Sequence, residues 1–207
     1  MMRFILPLAC FPDVRFLSIL HQASEACLLE VNDHYERQTL RNRYQLTGSQ
    51  GNIKLSIPCS IRPDKHYSTT EINYLSSWQR THWRTITACY SRAPYYIYYI
   101  DAIEPLFQHS YPSLFEFNTE ALRILCEVLN MPQPIKTDEW KDYPSDQFTD
   151  LRKWIDPPTL QQTRFEQYFQ VFSDKNGFSG GCSGLDILFN CGPEAPQLFE
   201  KTFRNLF

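Results

Sequence analysis

The apolar positions near the N-terminus change from a strand-like run to a helical spacing and back within thirty residues. Residues 3–7 form a short apolar run that predicts a strand. Pro12 is tolerated in the first turn of a helix, and the apolar positions that follow it predict a helix over about 13–26. Residues 27–31 predict a second strand. Strand–helix–strand over this length favours a βαβ unit with a parallel strand pair, which tends to bind ligands at the carboxyl ends of its strands.

Beyond this unit the pattern predicts a β-hairpin and then helices. Two short stretches, 44–47 and 53–57, flank a loop of five residues at 48–52, and residues 70–74 alternate in a way that adds a further strand. Helices are predicted over 76–92, 94–109, 113–130, 183–190 and 194–203. We therefore expect one α/β domain over residues 1–207, with a mixed sheet, an N-terminal βαβ unit, a hairpin extension and a helical C-terminal half.

Residues 133–163 differ in composition from the rest of the chain. The stretch is rich in Pro, Asp and Thr and contains a few widely spaced aromatic residues. Long segments of this kind are often functional lids or linkers. We expect a lid or a loosely packed connection here.

Charge and composition exclude several classes of protein. The chain has 43% hydrophobic and 21% charged residues, which is ordinary for a folded soluble domain. Its net charge is −3, whereas a nucleic-acid-binding domain is normally basic. No apolar stretch approaches eighteen residues, so no membrane span is expected. The seven cysteines form no CxxC pair and no secretion leader is recognisable, which favours a reduced, cytoplasmic protein without a disulfide framework.

Motifs for metals and cofactors are missing from the sequence. The five histidines are scattered, with no HxH or HExxH pair, and no Gly-rich phosphate loop is present, so we expect neither a metal nor a cofactor. Cys182 follows Gly180-Gly181 and is either a nucleophile paired with a histidine or part of a glycine turn before a helix that begins at Ser183. The turn is the simpler interpretation.

The densest polar segment, residues 33–43, directly follows the second predicted strand. Arg41 and Arg43 flank Asn42, and two guanidinium groups can fork onto a phosphate or carboxylate while the amide contacts a hydroxyl. The alternative is a solvated strand edge. Asp33 either acts as a base or orienting carboxylate or simply caps a turn.

His82 is a second candidate, on a predicted helix. Trp78 and Ile86 lie four residues before and after it, so the three side chains share an apolar face. A histidine on such a face is either a hydrogen-bonded core residue or a proton-transfer group, because its ordinary pKa is near 6.5. The aromatic residues between 95 and 117 either stack on sugar rings or belong to the core, and the core interpretation is preferred for most of them.

Several motifs in order carry a family resemblance. They are Cys10-Phe11-Pro12, the segment from Tyr35 to Arg43, Leu55-Ser56-Ile57-Pro58, and Trp78-x3-His82-x7-Tyr90-x3-Pro94-Tyr95. Together they resemble the WbqC-like family, and the C-terminal motifs at 168–172, 177–178 and 185–194 look like its Bacteroidetes version. Many members carry a His-Gln-Pro segment near the start, whereas residues 6–10 here read Leu-Pro-Leu-Ala-Cys, so no role for that histidine is carried over.

The resemblance implies a role in bacterial surface polysaccharide biosynthesis, because members of the family occur in such gene clusters. The expected activity is a transferase that moves an acyl or aminoacyl group to an amino sugar, with a small-molecule or carrier-linked substrate such as a nucleotide sugar. The residues assigned on this basis are His82 as base, Asp33 and Tyr90 as its catalytic partners, and Tyr35, Arg41, Asn42 and Arg43 as substrate-binding groups.

Two other functions stay open from the sequence. One is a non-catalytic module that holds a carrier protein or a glycan enzyme, which an exposed apolar patch would mark. The other is a sugar-nucleotide-processing enzyme, since the opening strand, loop and helix stand where such folds bind phosphate. The sequence leaves the oligomeric state open.

Overall fold

The computed structural model describes residues 3–60, 66–155 and 165–207. Its strands are β1 (Arg3–Pro7), β2 (Cys27–Glu30), β3 (Arg43–Gly48), β4 (Gly51–Ser56), β5 (Cys59–Ser60), β6 (Glu71–Ile72), β7 (Ile135–Lys136) and β8 (Phe148–Asp150). Its helices are α1 (Val14–Ala23), α2 (Trp78–Tyr90), α3 (Tyr96–Ile103), α4 (Pro105–Gln108), α5 (Leu114–Val128), α6 (Ser173–Asn176), α7 (Gly184–Cys191) and α8 (Ala195–Leu206).

A parallel sheet with the strand order β7-β2-β1-β8 forms the N-terminal part of the core. β1 and β2 are hydrogen-bonded in parallel, and α1 connects them along the chain. This confirms the predicted βαβ unit and the α/β class. Asp13 caps α1, because its carboxylate accepts a hydrogen bond from the backbone N–H of Arg15 at 2.9 Å. The antiparallel pairs, β3 with β4 and β5 with β6, are separate two-stranded ribbons and not part of this sheet.

The described part of the segment 133–163 supplies the two outer strands of the parallel sheet. β7 pairs with β2, and β8 pairs with β1. The pairing continues just past both strands, where the N–H of Thr137 donates to Leu29 at 3.0 Å and that of Leu151 donates to Ile5 at 2.9 Å. Strands of two and three residues are too short for a periodic pattern. Residues 156–163 of the expected lid lie outside the described residues.

The hairpin β3–β4 is longer than the sequence predicts. Its pairs run without interruption from Arg43 opposite Ser56 to Gly48 opposite Gly51, so the connecting turn is Ser49-Gln50 and not a loop of five residues. Gly51 has a φ of +104°, a conformation that favours glycine. Asn52 was assigned to the loop because it is polar, but it lies on the open face of the ribbon, where a polar side chain remains in solvent.

Helices account for most of the regular secondary structure in the second half of the chain, as expected. The predicted helix over 94–109 is divided into α3 and α4, with Pro105 in the first turn of α4. Phe107 and Phe117 pack with Trp78 and Phe11 in the core, which confirms the core interpretation for these aromatic residues. Among the helices of the described residues, none combines the length and apolar character needed to cross a membrane.

Candidate functional site

Asp33 and Arg41 form a buried ion pair. The guanidinium of Arg41 donates to the Asp33 carboxylate, and both side chains are largely shielded from solvent. Asp33 also accepts a hydrogen bond from the backbone of His34 at 2.7 Å, while the carbonyl of Arg41 accepts one from the Asn118 side chain at 2.7 Å. The pair therefore stabilises the conformation of the loop between β2 and β3. The guanidinium of Arg41 is occupied by Asp33.

Asn42 and Tyr35 also make contacts within the protein. The amide of Asn42 donates to the carbonyl of Ile57 at 3.0 Å. Tyr35 is buried, shares a hydrogen bond with the thiol of Cys59, and has its pKa raised above the ordinary value, chiefly by burial. Both side chains fasten the loop to the segment that follows β4.

His82 lies inside the protein between α2 and the hairpin. Its Nδ1 is 2.9 Å from the hydroxyl of Tyr44, and the ring also hydrogen-bonds the backbone carbonyl of Ser56. Burial lowers the pKa of His82 to about 4, so the ring is neutral at pH 7. His82 also borders an open recess of about 400 Å³, together with Lys54 and Trp78.

Tyr90 belongs to a buried hydrogen-bond network around Asp186. The Tyr90 hydroxyl donates to Oδ1 of Asp186 at 2.7 Å, and Thr47 Oγ1 donates to the same oxygen at 2.8 Å. Tyr168 and Gln170 donate to Oδ2 at 2.6 and 2.7 Å. Asp186 is fully buried, and desolvation raises the pKa of its carboxyl although all four donors oppose that shift. The network joins β3, α2 and the segment 168–170 to α7.

The structure thus places the predicted residues in separate surroundings. Asp33 and Arg41 are paired in the loop, His82 contacts the hairpin from α2, and Tyr90 contacts Asp186. Of the seven side chains, only Arg43 lines a half-open pocket that the described residues form beside the hairpin. This pocket has a volume of about 290 Å³ and lies between the outer face of the hairpin and the segment 165–181. We call it the hairpin cleft, and its polar and aromatic wall includes Gln38, Arg43, Gln45, Asn52, Lys54 and Phe165.

The strand register explains why these side chains meet. Gln45 of β3 stands directly opposite Lys54 of β4, and Arg43 and Asn52 are two residues away along their respective strands. Since alternate residues of a strand point to one face, all four side chains lie on the outer face of the hairpin. Within the opposite wall, Phe165 packs against Gly180, where a Cβ would lie 2.4 Å from its ring.

The hairpin cleft is cationic although the chain as a whole is acidic. Arg43 and Lys54 line it, and none of the lining residues that the structure describes is acidic. Within residues 3–60, 66–155 and 165–207, no carboxylate forms a salt bridge with either cation. In the same ranges, Nε of Arg43 is buried and has no hydrogen-bond partner. Unpaired guanidinium and ammonium groups with neighbouring amides are suited to a phosphate or carboxylate.

Sequence reasoning found Arg43 but missed Gln45, Asn52 and Lys54. The signal for them was the alternation of polar residues along both strands of the hairpin, which becomes informative only once the register is known. Lys54 also borders the open recess beside His82, so it lies between the hairpin cleft and that recess.

Metal and thiol chemistry find little support in the described residues. No group of three or more His, Cys, Asp or Glu side chains there is arranged to hold a metal ion. Cys182 is buried, and desolvation raises the pKa of its thiol to about 12. Gly181, with a φ of +70°, makes the turn before α7, in line with the simpler interpretation of this motif.

Comparison with known proteins places the chain beside one family. The model of the WbqC-like protein family matches residues 9–156. A curated relative, the uncharacterized protein Rv1507c of Mycobacterium tuberculosis, is 24% identical over 192 residues, covering 79% of this chain and 82% of the relative. No solved structure gives a significant match. The family match contains the hairpin and His82, whereas the segment 165–181 on the other side of the cleft lies beyond it.

Proposed function

The chain belongs to the WbqC-like protein family, and we propose that it is a transferase of bacterial surface-glycan biosynthesis whose anionic substrate binds in the hairpin cleft. The reaction we propose moves an acyl or aminoacyl group to an amino sugar carried on a nucleotide or another phosphate. The family resemblance supports the pathway, and the charge of the cleft supports the anionic substrate.

One observation carries the proposal: two cations that form no salt bridge with any carboxylate of the described residues line the cleft together with amide side chains. Arg43 and Lys54 supply two positive charges, and the Asn52 amide can both donate and accept hydrogen bonds. The nitrogen of the Gln45 amide donates to the carbonyl of Gly180 at 3.4 Å, and its oxygen can accept from a ligand. A sugar phosphate offers the complementary groups, with an anion for the cations and hydroxyls for the amides. Arg43 is therefore the group that we expect to bind the phosphate.

Acyl transfer requires a neutral amine, a group that takes its proton and a leaving group. The amine attacks the acyl carbonyl, a C–N bond forms and the bond to the thiol or alcohol carrier breaks. The base takes one proton from the amine and passes that same proton to the departing carrier. His82 is our proposed base because it borders the recess that shares Lys54 with the cleft and its neutral ring can accept a proton. Burial lowers its pKa and weakens it as a base, so its hydrogen bond to Tyr44 or to Ser56 must open for this step.

We assign positioning roles to the other predicted residues. Asp33 and Arg41 order the loop that leads into Arg43, and Asn42 and Tyr35 fasten that loop to the chain after β4. Tyr90 acts through Asp186 on the hairpin. The proposal therefore separates Arg43, which contacts substrate, from Arg41, which does not.

A ligand screen tests the proposal. Thermal shift and native mass spectrometry of the purified protein are measured with nucleotide sugars, coenzyme A thioesters and carrier-protein thioesters. We expect a nucleotide sugar to stabilise the wild type and Arg80→Gln, a control at an exposed arginine of α2, but not Arg43→Gln. Stabilisation that persists in Arg43→Gln contradicts the proposed pocket. Magnesium-dependent turnover of the nucleotide sugar alone would identify a sugar-nucleotide-processing enzyme instead.

A non-catalytic docking module is the second candidate, because α3 exposes large apolar side chains. Ile97 and Tyr98 are 70% and 71% exposed on this helix. Such side chains are typical of protein-interaction surfaces. If neither the nucleotide sugars nor the coenzyme A thioesters bind, and a carrier protein binds the wild type but not Ile97→Ser, the chain is a docking module.

A further inference from the structure

A second, uncharged recess adjoins the hairpin cleft at the tip of the hairpin. It has a volume of about 170 Å³ and lies between the turn of the hairpin and the segment 170–179. We call it the tip recess, and its lining includes Asn52, Phe172, Asn176 and Phe178. Asn52 lines both the tip recess and the hairpin cleft, so the two spaces are neighbours.

The chemistry of the tip recess differs from that of the cleft. No charged side chain lines it among the described residues; its walls are two phenylalanine rings, amides, hydroxyls and glycine backbone. Amides offer both donors and acceptors, and rings offer an apolar surface for the C–H face of a pyranose. In the described ranges, the side chain of Asn52 makes no hydrogen bond, and the Asn176 amide donates to Gly48 at 2.9 Å, which leaves its oxygen available as an acceptor.

Hydrogen bonds to the buried carboxylate of Asp186 fix the floor of the tip recess. Thr47 and Gln170 line it, and each donates a hydrogen bond to the buried carboxylate of Asp186, at 2.8 and 2.7 Å. The amide oxygen of Gln170 also accepts from the N–H of Ser179 at 2.9 Å. A floor fixed by a fully buried carboxylate gives the recess a defined shape before a ligand arrives, which reduces the entropic cost of binding.

We infer that the tip recess is a subsite for the uncharged hexopyranose ring of a sugar phosphate, whose phosphate lies against Arg43 and Lys54 in the hairpin cleft. This inference rests on the proposed function, since it assigns the anion to the cleft. It adds that the segment 170–179, which lies beyond the family match, determines which sugar is accepted.

Calorimetry with three probes separates the subsite from the anion pocket. The probes are methyl phosphate, a hexose 1-phosphate and a nucleoside monophosphate, which share a phosphate monoester and differ in what is attached. We expect the wild type to bind the hexose phosphate about tenfold more tightly than methyl phosphate. Asn176→Ala and Phe172→Leu should each remove this gain in affinity without reducing the affinity for methyl phosphate. Arg43→Gln should reduce the affinity for all three probes.

Lys175→Ala is the matched control. Lys175 donates to Ser49 at 2.8 Å and so attaches the same segment to the hairpin turn, but its side chain does not line the tip recess. This variant should keep the gain for the hexose phosphate.

The outcomes distinguish the two proposals. If the hexose phosphate binds no more tightly than methyl phosphate, if the nucleoside monophosphate gains more, or if both recess variants keep the gain, the subsite is wrong while the anion pocket stands. If the Lys175 variant loses the gain as fully as Asn176→Ala, the effect comes from loop attachment and the subsite is again wrong. If none of the three probes binds the wild type, the anion pocket is wrong and the subsite with it.

Discussion

The hydroxyl of Tyr44 lies 2.9 Å from Nδ1 of His82, deep between the hairpin and α2. The two rings meet edge to face with centroids 5.5 Å apart. His82 also bonds the carbonyl of Ser56, so both strands of the hairpin contact one imidazole. The outer face of the hairpin carries the cations of the cleft. His82 packs against the opposite, inner face and therefore stabilises the hairpin.

This arrangement predicts a loss of stability in mild acid. The pKa of His82 is about 4 in the folded protein and near 6.5 in the unfolded chain. Between these two pH values the unfolded chain binds a proton at His82 and the folded protein does not, so protonation favours unfolding. The stability is fully present above pH 6.5 and is lost as the pH falls from 6.5 toward 4. The loss approaches about 3 kcal/mol, an order-of-magnitude figure. Urea unfolding of the wild type at pH 7.5, 5.5 and 4.5 measures it.

His82→Gln provides the control for this pH dependence. Glutamine does not titrate, so the variant should start less stable at pH 7.5 but lose less on going to pH 4.5. If the two proteins lose the same free energy of unfolding over this range, the buried imidazole is not the cause.

The two arginines of the polar run should respond differently to substitution. Arg41→Ala leaves the carboxylate of Asp33 buried without its partner, and removing one member of a buried pair costs about 3–5 kcal/mol. Arg43→Ala removes a half-buried side chain that has no salt bridge among the described residues, so we expect a change in the free energy of unfolding of less than about 1 kcal/mol. Denaturant unfolding of both variants checks the contrast. Equal losses would contradict the separation of structural and binding roles.

The carboxylate of Asp186 should be essential to the fold. Asp186→Ala removes the acceptor of four buried hydrogen bonds, and we expect it to lower the free energy of unfolding by about 3–5 kcal/mol. Tyr90→Phe removes one donor to Asp186 and the acceptor of the Thr47 N–H, and it should cost about 1–2 kcal/mol. Asp174→Asn, at an exposed position of α6, is the control and should change stability by less than about 0.5 kcal/mol.

A thermal melt of the Asp186 variants gives the same ranking independently of denaturant. If Asp186→Ala unfolds at the wild-type temperature, the hydrogen bonds around this carboxylate contribute little and the floor of the tip recess is not held by it.

The fold was predictable where local patterns are long. The apolar spacing of α1, between two apolar strands, was enough to predict a βαβ unit, and the helices α2 and α5 follow from their periodicity. The outer strands β7 and β8 were missed because two or three residues in a Pro-rich stretch form strands only when a neighbouring strand offers backbone partners. That information is tertiary and does not exist within the segment itself.

The candidate site was predictable only in part, for a similar reason. Arg43 was predicted as a site residue because of the polar residues next to it in the sequence. In the structure it lines the cleft with Lys54 and Gln45, and this proximity follows from the register of the hairpin. Tyr90 and Asp186 are 96 residues apart, and no local pattern joins them. Arg41 was indistinguishable from Arg43 in the sequence, since the difference between them is the buried carboxylate of Asp33 beside one of the two.

Thiol labelling tests the burial of the cysteines. All seven are free, and six of them are buried, while Cys59 is partly exposed. Burial raises the pKa of the Cys59 thiol to about 12, so at pH 8 the thiolate fraction is on the order of 10⁻⁴ and even this cysteine should react slowly. We expect mass spectrometry to find Cys59 labelled first by iodoacetamide in the folded protein. In denaturant all seven should label without added reductant.

Cys59→Ser identifies the first site, because the folded variant should then show no early label. Tyr35→Phe sharpens the test, since the Tyr35 hydroxyl shares a hydrogen bond with Cys59 that lowers the pKa of this thiol. Losing that bond should reduce the thiolate fraction and slow labelling, provided that the variant remains as folded as the wild type by circular dichroism. Rapid early labelling of any other cysteine would contradict the packing described for the core, and a need for reductant in denaturant would show that disulfides are present.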